Sequence, residues 1–550
     1  MSSWYETKPW LVSYDERTRV AAPVAATTMV AAFRRTADRS PDVTAISYFD
    51  AHLTYREVDE LSNGVAQYLL AQGFTAGDRL AIMLQNIPQF VLALLGAWKA
   101  GGIVVPVNPM YRERELEHVL SDAGVRAFAG SQSGWNRLAG VVAESEVRIA
   151  LTTSELDFQT RDDPRVFAKV RRQATEGAVD LLEVARATSV PPPDPGLLPG
   201  DVALISYTSG TSGRPKGATN THGNVATNAA VMSSFGGLGA GAVLFGLAPL
   251  FHITGLVGEI ASAIDTGGKL VLAYRFEPGV VLDAFLEHKP TYTVGPSTAY
   301  MALMAHPDVS TEHFASFTML YSGGAALPLA VVTTFRERFG HYIHNGYGLT
   351  ETTAGCVVVP GTREAPIDPA SGTISIGLPM PDTIVRILGE DGREQPPGEA
   401  GEIAVEGPMV VPGYWNQPEA TAAALPGGRL LTGDIGFMDP DGWVYVVDRK
   451  KDMINASGFK VWPREVEDVL YTHPAVREAA VVGVPDDYRG ETVKAYVSAR
   501  PGSTADPLEL VAYCKERLAA YKYPRDVVVL DELPKTVSGK ILRRELRDRK

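Results

Sequence analysis

The run Leu80-Ala81-Ile82-Met83-Leu84, followed by Pro88-Gln89-Phe90-Val91-Leu92-Ala93-Leu94-Leu95-Gly96-Ala97-Trp98 and then by Gly101-Gly102-Ile103-Val104-Val105-Pro106-Val107, decides the fold. Five consecutive apolar residues suit a strand covered on both faces. Pro88 fits a first helical turn, where no backbone N–H is needed, and Phe90, Leu94 and Trp98 recur at helical spacing. Gly101-Gly102 ends the helix and leads into a second apolar run. An earlier helical face, Leu61, Val65, Tyr68 and Leu69, stops at Gly73 just before the first strand. Alternation of strand and helix predicts the α/β class, with parallel sheets covered by helices on both faces.

Outward from there, 550 residues exceed what one core can hold. A polar stretch and Val190-Pro191-Pro192-Pro193-Asp194-Pro195 precede the strand Val202-Ala203-Leu204-Ile205-Ser206, which places an internal boundary or a surface loop there. From about Ile374 to Val447, short alternating strands with turns at Asp391-Gly392 and Asp441-Gly442 predict antiparallel hairpins or a small β-barrel-like subdomain. The charged run Asp448-Arg449-Lys450-Lys451-Asp452 then divides the chain into domains 1–450 and 451–550. The second, a small α+β unit, has a helix opened by Pro463, a strand Ala479 to Val484, alternating Val493, Ala495 and Val497, and a helix from Pro507.

Fifty-one basic against 64 acidic residues leave a net charge of −13, which argues against nucleic acid or an anionic membrane as the main partner. Two distant cysteines, Cys356 and Cys514, carry neither a disulfide framework nor a zinc pattern and fit a reducing, cytoplasmic setting. No secretory signal is readable in Met1-Ser2-Ser3-Trp4-Tyr5-Glu6. The apolar tract Ala242 to Ile264 is broken by Pro249, His252 and Glu259, so it is expected to be buried core and not an integral membrane span.

The strongest chemical signal is Tyr207-Thr208-Ser209-Gly210-Thr211-Ser212-Gly213-Arg214-Pro215-Lys216-Gly217, after a strand and before a helix. Glycines let the backbone approach phosphate oxygens, hydroxyls and amides donate to them, and Lys216 adds compact positive charge. The spacing is not that of a kinase or GTPase loop, and a surface loop is the other reading of the same composition.

With Pro249-Leu250-Phe251-His252, Gly346-Tyr347-Gly348-Leu349-Thr350-Glu351, Thr432-Gly433-Asp434, the segment Asp448 to Glu467 and Pro534-Lys535-Thr536-Val537-Ser538-Gly539-Lys540, this loop resembles the adenylate-forming superfamily of acyl-coenzyme A synthetases, firefly luciferase and peptide-synthetase adenylation domains. The segments stand in the family's order over most of the chain. The resemblance implies a large domain of two helix-covered, mostly parallel sheets and a small mobile carboxy-terminal domain. It implies ATP, Mg2+ and coenzyme A as co-substrates or cofactors, with a small-molecule carboxylic acid as partner, and leaves a homodimer open.

By that resemblance, Thr208, Ser209, Gly210, Thr211, Ser212, Gly213 and Lys216 take the phosphates. Gly324, Ala325, Asn345, Gly346, Tyr347 and Gly348 surround adenine, and Asp434 and Arg449 hold the ribose. Thr350 and Glu351 face phosphate, with Glu351 on magnesium. His252 lies near the acyl carboxylate. Lys540 supplies the ammonium that stabilises charge while the carboxylate attacks the α-phosphate. Lys451 is the expected hinge, a variant where relatives often carry Asp. Ser457, Gly458, Phe459 and Lys460 are expected along the coenzyme A tunnel.

Leu430-Leu431-Thr432-Gly433-Asp434-Ile435-Gly436, Asp448-Arg449-Lys450-Lys451-Asp452-Met453-Ile454 and Lys8-Pro9-Trp10 look most like fatty-acyl ligases. Phe251, Leu256, Tyr300 and Met301 are the expected acyl walls. The expected reaction converts a medium- or long-chain fatty acid into acyl-AMP and then a coenzyme A thioester. The rivals are an aryl-acid ligase of the coumarate type, a carrier-protein acceptor, a luciferase-like oxidation and a noncatalytic nucleotide or fatty-acid binder. The basic run Arg543-Arg544-Glu545-Leu546-Arg547 is read first as a solvated helical face and second as a contact for coenzyme A phosphate.

Overall fold

The computed structural model describes residues 3–14, 28–208, 215–369, 372–449, 452–456, 459–486, 490–536, 539–547 and 549. The deciding run folds as read: strand Arg79–Met83, helix Pro88–Lys99 and strand Ile103–Pro106, the two strands pairing in parallel. All 12 helix residues are buried, which explains why the helix is apolar on every face. Its terminal Lys99 is also buried, and its ammonium donates to Asp59 Oδ1 (2.6 Å), Ser62 Oγ (2.8 Å) and Asn63 Oδ1 (2.7 Å). Those acceptors lie on the helix Tyr55–Ala71, so one saturated cation fastens two helices together. That helix starts at a capping box in which Thr54 and Glu57 satisfy each other's backbone N–H.

Among the described residues the first sheet has seven strands in the order Val179–Asp180, Ile149–Thr153, Ala127–Ser131, Arg79–Met83, Ile103–Pro106, Val202–Tyr207 and Gly217–Thr221. Only its last pair is antiparallel. The Pro-rich stretch therefore does not open a new sheet, because Val202–Tyr207 pairs directly with Ile103–Pro106. It is a surface connection, fixed where Gln67 donates to the carbonyls of Val190 and Pro191.

The second sheet has nine strands, with a parallel centre of Ile343–Leu349, Met319–Gly323, Tyr292–Gly295, Val243–Phe245, Lys269–Leu272 and Thr44–Tyr48, and antiparallel edges. The apolar tract 242–264 is thus a strand, a connection and a buried helical segment. No helix among the described residues is long and apolar enough to cross a membrane.

Residues 384–449 form four antiparallel strands, Ile384–Leu388, Gly401–Glu406, Leu430–Met438 and Val444–Arg449, in sequence order. This corrects the barrel expectation: the first and last strands do not pair, so the sheet stays open. Its exposed flank is covered by the amino-terminal segment, where Trp10 is buried against Gly442 and the Tyr5 hydroxyl donates to Gln395 O at 2.8 Å. The last unit packs helices Pro463–Tyr471 and Pro507–Arg517 against a sheet centred on the hairpin Val476–Asp486 and Gly490–Ala499. The expected boundary between 450 and 451 lies outside the described residues.

Candidate active site

Strands of both large sheets end on one cavity of about 770 Å³. Thr208 follows Val202–Tyr207, the segment Ala248 to His252 follows Val243–Phe245, Pro296 follows Tyr292–Gly295, and Gly323 and Gly324 close Met319–Gly323. A crevice beyond the carboxyl ends of parallel strands is the expected ligand site of such a fold. The antiparallel sheet adds Glu402, Thr432, Asp434 and Arg449, and Lys540 enters from the last unit.

Of the phosphate loop, Thr208 and Lys216 line the cavity, joined by a bond from Thr208 N to Lys216 O of 2.9 Å. Ser209, Gly210, Thr211, Ser212 and Gly213 lie outside the described residues. The Lys216 ammonium stands 5.0 Å from the centre of the Tyr414 ring, whose hydroxyl donates to Glu351 Oε1 at 2.6 Å. Burial and the Glu351 charge hold the Tyr414 phenol protonated as that donor. Tyr414 was not foreseen. It reaches the site because residues 413–415 pair with the edge strand Gly217–Thr221.

Gly346, Tyr347, Gly348, Thr350 and Glu351 all line the cavity. Gly348 is required there: a Cβ would lie 1.7 Å from the Ala354 carbonyl oxygen. Glu351 sits on a 3-10 turn, Thr350–Thr352, and the next two residues, Thr353 and Ala354, have φ of +52° and +87°. Asn220 holds this strained turn by donating to Thr350 O and Thr353 Oγ1, each at 2.9 Å.

Asp434, 5% exposed, accepts from the Tyr347 hydroxyl at 2.7 Å and is ion-paired with Arg449, whose Nε lies 3.3 Å away. The sheet register places Arg449 directly opposite Asp434, so this pair follows from strand pairing alone. Gly324 lines the cavity, but Ala325 and Asn345 do not. Asn345 is buried in the sheet and its amide points to Ser375 O.

His252 lines the cavity, with Nδ1 accepting from Thr254 N at 3.3 Å as the cap of a short helix. That bond leaves the ring proton on Nε2. Burial first, and the Lys540 charge second, push its pKa down to about 4, so the ring is neutral near pH 7. The segment before it is clamped by Asn86, which carried no sequence signal, and by Glu259, which the sequence marked only as a break in the apolar tract. Asn86 donates to Gly246 O and Ala248 O and accepts from Leu250 N, each at 2.9 Å. Glu259 accepts from Ala248 N at 3.0 Å, and burial raises its carboxyl pKa well above the usual range.

Lys540 is carried by a tight turn in which Thr536 N donates to Lys540 O (2.7 Å) and Gly539 N to Thr536 O (2.9 Å). Gly539, at φ +78°, lies on the turn after Tyr292–Gly295, where a Cβ would meet Thr298 Oγ1 at 2.2 Å. The expected hinge Lys451 and tunnel residues Ser457 and Gly458 lie outside the described residues. Phe459 and Lys460 form strand Phe459–Val461, and their side chains are likewise not described.

The expected acyl walls are corrected. Leu256 and Tyr300 are fully buried core, and Phe251 and Met301 pack against that core, so none of the four lines the cavity. The apolar lining includes Met232, Ile253, Val294, Tyr321, Gly355 and Val358. These residues lie on neighbouring strands and helices, a closeness in space that no single sequence window displays.

The family model for AMP-binding enzymes matches residues 33–415, and the model for the AMP-binding enzyme C-terminal domain matches residues 465–540. The long-chain-fatty-acid–CoA ligase of Bacillus subtilis (strain 168) is 38% identical over 98% of this chain and 97% of its own. A feruloyl-CoA synthase of an Amycolatopsis species is 36% identical over 94% of this chain and 97% of its own. The crystal structure of ATP-bound MatB from Rhodopseudomonas palustris superposes with a TM-score of 0.83 at 28% identity, covering 94% of this chain and 98% of that one. The chain belongs to the AMP-binding, adenylate-forming enzyme family, and is an AMP-forming acyl-CoA ligase.

Proposed function

We propose that this ligase activates a medium- or long-chain fatty acid. The observation that carries the reading is the uncharged part of the cavity lining: Met232, Ile253, Val294, Tyr321, Gly355 and Val358 offer an acyl chain largely apolar walls and no ion-pair partner. The extended similarity to a long-chain-fatty-acid–CoA ligase supports it.

In this reading a carboxylate oxygen attacks the α-phosphorus of ATP, the bond to the β-phosphate breaks, and pyrophosphate leaves. Lys540, which lines the cavity, stabilises negative charge on the transferring oxygens in this reading. Asp434 accepts from the ribose hydroxyls, and Tyr347 and Gly324 flank adenine. The thiol of coenzyme A then attacks the acyl carbon and AMP departs. Neutral His252, with its proton on Nε2, donates to the acyl carboxylate without adding a charge.

The donor set also fits magnesium. Thr350 and Glu351 offer one hydroxyl and one carboxylate, and no group of three or more metal-binding side chains occurs among the described residues. A hard cation there would share its shell with phosphate oxygens. When bound, it neutralises phosphate charge and eases the departure of pyrophosphate.

The test is pyrophosphate release with magnesium-ATP across straight-chain acids of graded length and several aryl acids, with and without coenzyme A. Release peaking on fatty acids supports the reading. Release on aryl acids alone moves the chain to the aryl-acid branch, which the feruloyl-CoA synthase similarity favours as the second reading.

A further inference from the structure

Three residues beyond Lys540, the Arg543 side chain lies among three carboxylates. It meets Glu467 Oε2 at 2.6 Å, Asp448 Oδ1 at 3.2 Å and Asp452 Oδ2 at 3.5 Å. This corrects the solvated-face reading of the basic run at Arg543 alone: Arg544, Glu545 and Arg547 are exposed as read, and Arg547 adds a contact to Asp452 at 3.2 Å. The three partners are not equivalent. Glu467 sits on the helix Pro463–Tyr471 of the last unit, whereas Asp448 sits on Val444–Arg449 of the antiparallel sheet that also supplies Asp434 and Arg449 to the cavity.

Asp448 is 4% exposed and accepts from Arg449 N (2.7 Å) and Arg464 N (2.8 Å) as well as from Arg543. A buried carboxylate so bonded is a fixed point. Between Arg543 and Lys540 the chain is short and constrained, since Leu542 N donates to Pro534 O at 2.8 Å and Ile541 bridges to Lys535. The position of the guanidinium therefore fixes the position of the lysine turn.

We propose that Arg543 is the positioning residue that places Lys540 in the cavity, with Asp448 as the point on the antiparallel sheet from which it is held. This rests on the adenylating role given to Lys540 above. The fork of Arg543 can span Glu467 and Asp448 at once, joining the unit that carries the lysine to the sheet that carries the ribose site. Misplacement by about 1 Å at such a site costs up to about 10²-fold in rate.

Removing Arg543 would leave three carboxylates facing one another and risks unfolding, so the test uses Asp448→Asn, which keeps the shape and the acceptor for Arg464 N. The expected result is a fall of about tenfold in acyl-adenylate formation, with the KM for ATP and the conversion of supplied acyl-adenylate to thioester within about twofold of the parent. The double variant Asp448→Asn with Lys540→Ala should be no slower in adenylation than Lys540→Ala alone, because a residue acting through Lys540 adds nothing once the lysine is gone. Additive losses, equal loss of both half-reactions, or a shift confined to the KM for ATP through neighbouring Arg449 would overturn the proposal.

A measurement without turnover separates this from the functional reading. Spin labels at Glu312→Cys and Asp531→Cys, both exposed, use a chain whose native cysteines are buried. Asp448→Asn should broaden the distance distribution, and an unchanged distribution overturns the proposal. If the parent chain forms no adenylate with any acid, the functional reading fails while this measurement still decides the placement.

Discussion

Tyr347 donates its phenolic hydrogen to Asp434 at 2.7 Å, tying the nine-stranded sheet to the antiparallel sheet across the cavity. Burial and the Asp434 charge hold the phenol far above its ordinary pKa, so it stays a donor at every pH of interest. Tyr347→Phe keeps the ring and removes the donor. The KM for ATP should rise about tenfold, the size of one hydrogen bond to a charged acceptor, with kcat within about twofold. Initial rates at varied ATP check this, and an unchanged KM refutes the assigned contact.

Lys540→Ala should slow acyl-adenylate formation by about 10² to 10³-fold. Thioester formation from supplied acyl-adenylate should survive. Separate assays of the two half-reactions decide, and equal loss in both would remove Lys540 from the adenylation step.

Gly348→Ala places a methyl group against the Ala354 carbonyl, which as backbone cannot swing aside. The expected cost is about 1 to 3 kcal/mol of stability, read from urea unfolding, together with lost ATP affinity because the turn bearing Glu351 must move.

Acid should weaken the fold through buried histidines. Burial lowers the pKa of His222, His252 and His344 to about 4, below the ordinary 6.5. Between those values the unfolded chain binds protons that the folded chain refuses. Their stabilisation is therefore fully present above about pH 6.5 and lost as pH falls toward 4. Among the described residues both ring nitrogens of His222 find no hydrogen-bond partner, so His222→Leu should flatten the pH dependence of unfolding between pH 6.5 and 4.

Gly355 lines the cavity with Met232 and Val358, and a Cβ there would touch Met232 Sδ at 3.1 Å and Val358 Cγ2 at 3.3 Å. Gly355→Val should shift the preferred acid toward shorter chains, with about tenfold loss on the longest substrate and little change in ATP affinity. Equal loss on all chain lengths would place the acyl chain elsewhere.

What was legible from the chain was whatever is local. Residues 80–107 announced strand, helix and strand because burial on all faces leaves an apolar run, and Asp434 and Arg449 were found through their motifs. The failures share one cause. Tyr414, Asn86 and the apolar lining act through pairings between segments more than a hundred residues apart, as from Asn86 to Gly246, and side-chain chemistry there has no local period. Phe251, Leu256, Tyr300 and Met301 were apolar and near the motifs, but apolar residues fill core and pocket alike, and only the packing tells which is which.

The left-handed pair Thr353 and Ala354 has an outcome in the laboratory. A β-branched residue and an alanine there each cost roughly 1 to 3 kcal/mol that glycine would largely recover. A library selected for heat tolerance should enrich glycine at 353 or 354, and one selected for turnover should discard it, because the turn that presents Glu351 would slacken. At these two neighbouring positions, breeding for durability and breeding for speed pull the sequence in opposite directions.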